Sequence, residues 1–142
     1  MKIKNFSLSV TQQVVTLLAV FLLLSTVSCA KKTTFNNSTV IPAARGDVAV
    51  KQDKNNNYNI TVKISYLAEP ERLTPPKTTY VVWMVSENNN TVNLGQIVGT
   101  SKLHVTFETV SSFKPVQIFV TAENEADVRY SGPVTVLATD TF

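Results

Sequence analysis

Cysteine is nearly absent from this chain: Cys29 is the only one in 142 residues. That single fact excludes an internal disulfide, a cysteine zinc site and a paired-thiol redox centre. Histidine is equally scarce, with His104 standing alone. A catalytic triad would have to be assembled around that one ring, and no spacing of carboxylates and hydroxyls selects such a group. An excess of basic charge is also missing from the body of the chain. Of 13 basic residues, Lys2 and Lys4 belong to the extreme N-terminus, and the rest nearly balance 10 acidic ones. Near-neutrality argues against nucleic acid, which is held by clustered Lys and Arg on phosphates. Finally, no stretch after residue 46 shows a 3.6-residue apolar period over helical length. An all-β domain is therefore expected.

What is present begins with an export-signal layout over residues 1–28. Lys2 and Lys4 give a positive start, Val14 to Leu24 an apolar stretch, and Ser25 and Ser28 small residues before Cys29. The apolar stretch is shorter than the roughly 18–20 residues of a membrane span. The run Leu24-Ser25-Thr26-Val27-Ser28-Cys29 resembles the lipobox of bacterial lipoproteins, although Thr26 stands where Leu, Val or Ile is usual. The resemblance implies cleavage before Cys29, acylation of that cysteine with palmitate-type chains, and membrane attachment through the lipid. Ala30, rather than Asp, follows the cysteine. In a two-membrane bacterium this resembles an outer-membrane lipoprotein of the cell envelope. The alternative is an ordinary secretory peptide that leaves a free thiol.

Residues 29–46 are polar and aperiodic, and the expectation is a lipidated N-terminus followed by a flexible tether. Lys31-Lys32 within it would lie against anionic head groups or be simply solvated. Residues 47–142 turn to alternation, the mark of half-buried strands. Tyr58, Ile60, Val62, Ile64 and Tyr66 share one face, with Asn59, Thr61, Lys63 and Ser65 on the other. The asparagine-rich Asp53–Asn57 before them suits a hairpin turn. Pro70, Pro75 and Pro76 make Leu67 to Lys77 a crossover link. Tyr80 to Val85 is apolar throughout and reads as a strand buried on both faces, with Trp83 as a core anchor. With Val92 to Val98, the run around Leu103 to Phe107, Val116 to Ala122 and Val134 to Ala138, about seven strands are expected. Their number and spacing fit an immunoglobulin-like β-sandwich, with a closed barrel as the alternative.

Candidate chemistry is sparse, and no catalytic residue, cofactor or metal is assigned. Glu123, Glu125 and Asp127 alternate, so a continuing strand would aim all three the same way as oxygen ligands for calcium. The glycine and Asn/Asp pattern of a calcium loop is missing. Glu69 and Glu71 flank Pro70 as a carboxylate pair without neighbouring aromatics to grip a sugar. Phe113, Phe119 and Tyr130 are the candidate binding residues, because their placement outside the apolar face offers a patch for a protein or glycan partner. An overlying loop would instead cover them.

Tyr80-Val81-Val82-Trp83-Met84, Leu94-Gly95, Val120-Thr121-Ala122-Glu123 and Gly132-Pro133-Val134 occur in an order and spacing that resemble the extracytoplasmic C-terminal domain of anti-sigma-K factors. The resemblance covers Tyr80 to about Leu137 and implies a β-sandwich in an envelope setting. Glu123-Asn124-Glu125 departs from that family's Glu-Pro followed by glycines. The chain also shows no helical region or internal span of the kind an anti-sigma factor uses, so sigma-factor control is not carried over. The expected function is a lipid-anchored, non-enzymatic envelope protein whose sandwich is an interaction or sensing module. Small-ligand or glycan binding is the alternative.

Overall fold

The computed structural model describes residues 10, 12–15, 17, 30–99 and 104–142. Val10, residues 12–15 and Leu17 are helical, and no helix among the described residues is long and apolar enough to cross a membrane. Cys29 and most of the signal-like segment lie outside the described residues.

The rest is a β-sandwich of two four-stranded antiparallel sheets. In chain order the strands are β1 (Lys31–Thr34), β2 (Arg45–Gln52), β3 (Tyr58–Ser65), β4 (Thr79–Ser86), β5 (Thr91–Ile97), β6 (His104–Ser111), β7 (Pro115–Glu123) and β8 (Thr135–Ala138). One sheet has the order β1-β2-β3-β6, the other β5-β4-β7-β8. With β1 set aside, the remaining seven follow the Greek-key order of an immunoglobulin-like sandwich. The alternating residues face inward as the pattern requires: Val48, Val50, Ile60, Val62 and Ile64 meet Tyr80, Val82, Met84, Ile118, Val120 and Ala122 across the core. The proline-rich link, with a short 3-10 turn at Pro70–Arg72, carries the chain from the first sheet to the second.

The flexible tether is a correction. Lys31–Thr34 pairs antiparallel with β2, from Lys31 opposite Val50 to Thr34 opposite Asp47. Phe35, Ile41 and Ala44 are then buried in the core. The apolar period failed to show because β1 is an edge strand lying mostly in solvent, where its side chains have no apolar face to match. The scattered Phe35, Ile41 and Ala44 are anchors of an irregular connection, fixed locally by the Ser38 hydroxyl, which accepts the Ile41 amide at 2.9 Å. The Phe35 amide donates to the Gly46 carbonyl at 3.0 Å, the Asn36 amide donates to the Ala138 carbonyl at 2.8 Å, and Phe35 bridges Thr139. These contacts stitch the edge of one sheet to the edge of the other.

Candidate functional site

The second face of the β5-β4-β7-β8 sheet carries a buried polar cluster. Val81, Trp83 and Thr121 are wholly buried although they point away from the main core. Chain 124–134, between β7 and β8, provides their cover. A bulge between Val82 and Trp83 leaves Asn93 opposite Trp83 and Gly95 opposite Val82. Asn93 uses that position as a clasp: its amide nitrogen donates to the carbonyls of Ala126 and Val128 at 3.0 and 2.9 Å, and its oxygen accepts the Gly95 amide at 2.9 Å. Gly95 has a φ of +129°, which a side chain would resist.

Below the loop runs a chain of hydrogen bonds. Trp83 Nε1 donates to Thr121 Oγ1 at 2.8 Å, Thr121 Oγ1 donates to Glu123 Oε1 at 2.6 Å, and the Gly132 amide donates to the same oxygen at 2.7 Å. Buried polar groups need such partners. Trp83, Thr121, Glu123 and Gly132 thus form one structural knot. Glu123 is consumed by it. The strand stops at Glu123, so the expected alternation with Glu125 and Asp127 ends there and those two lie exposed in the loop. Among the described residues no group of three His, Cys, Asp or Glu side chains could hold a metal ion.

His104 opens β6 opposite Ser65. Its Nδ1 and the Ser65 hydroxyl are 2.8 Å apart, and Tyr66, in left-handed conformation at φ 58°, sets its ring 6.0 Å from the imidazole. Glu108 lies four residues further along β6, about 13 Å away by the strand rise. No triad forms from that pair. Glu69 is tied to Arg72 at 2.8 Å, which separates it from any joint role with Glu71.

The three candidate aromatics divide. Phe119 is half-buried and stacks on Trp83, ring centroids 6.2 Å apart and planes 11° from parallel, so it serves the sheet. Phe113 and Tyr130 stay exposed, at 54% and 79%. Both flank the same hairpin turn, residues 87–90. On one side the Glu87 amide donates to the Lys114 carbonyl at 3.0 Å and Lys114 pairs with Glu87 at 3.6 Å, placing Phe113 beside the turn. On the other, Arg129, Tyr130 and Ser131 join Asn89, Asn90 and Thr91 around an open cleft of about 550 Å³. Asn89 takes a φ of 59°, the left-handed turn geometry that asparagine tolerates.

This cleft offers a guanidinium, amides, hydroxyls and one exposed ring. Such a set supplies hydrogen-bond donors and acceptors and one positive charge. Arg129 was not singled out by the sequence, where it is an isolated charge. Only the fold brings it beside the asparagine turn. No family model, curated protein or solved structure matches the chain.

Proposed function

We propose that this chain is a lipid-anchored envelope protein, held through Cys29, whose sandwich is a non-catalytic interaction module working through the end that carries Phe113, the asparagine turn and Tyr130. The observation that carries this reading is the convergence of Phe113, Asn89, Asn90, Arg129 and Tyr130 on one end of the domain. Exposed aromatics beside an arginine are the residues that dominate binding surfaces. Two tests address the two halves. Cys29→Ala is expected to shift the protein from the membrane to the soluble fraction, and continued tight association would remove the anchor. Tyr130→Ala combined with Phe113→Ser is expected to abolish crosslinks formed in intact envelopes while leaving the fold unchanged. Undiminished crosslinking would move the contact surface elsewhere. Glycan binding is the second reading, favoured by the amide-rich cleft beside a single tyrosine. Its test is titration of soluble cell-wall glycan fragments against Tyr130 fluorescence.

A further inference from the structure

We infer that the partner of this end is the anionic surface of the protein's own membrane, on which the sandwich stands end-on. The inference rests on the anchored reading and adds an orientation to it. β1 begins at Lys31, so only Ala30 separates the strand from Cys29. Consecutive Cα atoms are about 3.8 Å apart, which holds the cysteine within roughly 8 Å of Lys31. No leash of the kind expected from the sequence exists.

The strand register says which end that is. Lys31 lies opposite Val50, two residues before β2 ends at Gln52 and turns through 53–57. Gln52 is opposite Tyr58, which is opposite Ser111, where β6 turns toward Phe113. The Lys31 ammonium also sits 5.6 Å from the ring centre of Phe142. The chain therefore leaves for Cys29 at the end that holds the 53–57 turn, Phe113 and the asparagine turn.

The basic groups nearest the anchor are Lys31, Lys51 and Lys54, exposed around the 53–57 turn against Asp53; farther along this end Lys114 pairs with Glu87, and Arg129 stands against the exposed Asp127 and Asp140. At the opposite end Glu69, Glu71 and Glu125 offset Arg45, Arg72 and Lys77. Exposed lysines at the 53–57 turn with an exposed Phe and Tyr at the same end suit the interface of an anionic bilayer, where the rings seat among the head groups and lysine stems extend to phosphate. The opposite end also exposes Val98 and Tyr66, but no anchor leads there.

The test uses the full mature protein reconstituted into vesicles of phosphatidylcholine and phosphatidylglycerol with brominated acyl chains. Trp83 is buried under the 124–134 loop and gives a constant background. In Phe113→Trp the new indole is expected to be quenched by the bromines, and in Val98→Trp it is expected to stay unquenched. Lys51→Gln with Lys54→Gln should lower the ratio of docked to free orientations about 25-fold, about fivefold per charge. Quenching at 98 rather than 113, quenching at neither, or equal quenching in purely neutral vesicles overturns the orientation. So does glycan-fragment binding that shifts Tyr130→Trp emission equally with and without anionic vesicles. The anchor is read separately, from the acyl mass on the N-terminal peptide. If that mass is absent, coupling the Cys29 thiol to a maleimide lipid still tests the orientation, so either idea can fail alone.

Discussion

Replacing Thr121 with Val tests the knot on which the 124–134 loop rests. The two side chains are nearly the same size, so packing around the wholly buried Thr121 is little disturbed. What disappears is one oxygen that accepts from Trp83 Nε1 and donates to Glu123 Oε1. Trp83 keeps a buried N–H with no acceptor, a loss of about 1–3 kcal/mol, and Glu123 loses a hydrogen bond to a carboxylate, about 1.5–3 kcal/mol. Part of the second loss is recovered, because the Gly132 amide still reaches Glu123 at 2.7 Å. A total near 3 kcal/mol is expected, a large fraction of the 5–15 kcal/mol that holds an ordinary domain together. Thr121→Ser keeps the oxygen and drops one methyl, and about 1 kcal/mol should go with it. Urea unfolding followed by the fluorescence of the single tryptophan measures both. Equal losses in the two variants would refute the view that the hydroxyl, and not mere burial, fixes the loop.

Gly132→Ala places a Cβ 2.5 Å from Glu123 Oε2, so the carboxylate or the loop must shift and the bonds of Glu123 to Thr121 and Gly132 are disturbed; about 1–2 kcal/mol should be lost, visible as faster proteolysis of chain 124–134. Tyr80→Phe removes a buried hydroxyl that has no partner among the described residues, and the unfolding free energy from urea titration should rise by about 0.5–2 kcal/mol. Burial, with Glu71 nearby, pushes the Tyr80 phenol up to about 12. The neutral phenol is favoured in the fold, so its contribution is complete below about 10 and fades as pH climbs toward 12, whereas the Phe variant escapes that alkaline loss. Asp53 is held below the ordinary carboxylate value chiefly by the Asn57 amide, with the Asn55 amide adding to it. Its contribution is therefore full above the ordinary value and lost as pH falls through the lowered one. Urea midpoints of wild type and Asp53→Asn should converge on acidification, and a gap that persists in acid would contradict the turn's dependence on the carboxylate.

The strands with one wet and one packed face were legible because alternation is a local signal. β3, with Ile60, Val62 and Ile64 inward, follows the pattern residue by residue. Burial of β4 on both faces was also legible from its unbroken apolar run, although nothing local told what covers the second face. The covering loop is polar and irregular, and its position depends on Asn93, more than thirty residues earlier in the chain. β1 was illegible for the opposite reason: an edge strand in solvent satisfies its backbone through a partner and needs no apolar side chains. Of the candidate contacts, Phe113 and Tyr130 sit at turns, which predicts exposure. Phe119 alternates outward on a strand whose outer face happens to be occupied by Trp83, and period-two reasoning cannot distinguish that from solvent.

The stitch between Phe35 and Thr139 joins the start of the sandwich to the residue just after its last strand. Any chain that emerges N-terminus first, from a ribosome or through a channel, lacks the partner for that seam until Thr139 appears. β1 finds its ladder partner β2 within the next twenty residues, but the bridge to Thr139 must wait while the middle of the sandwich assembles, since contacts between distant segments form only after the loop between them closes. The Phe35–Thr139 seam is thus late to close, and removing Thr139 should leave Phe35 undocked while β1 stays paired with β2.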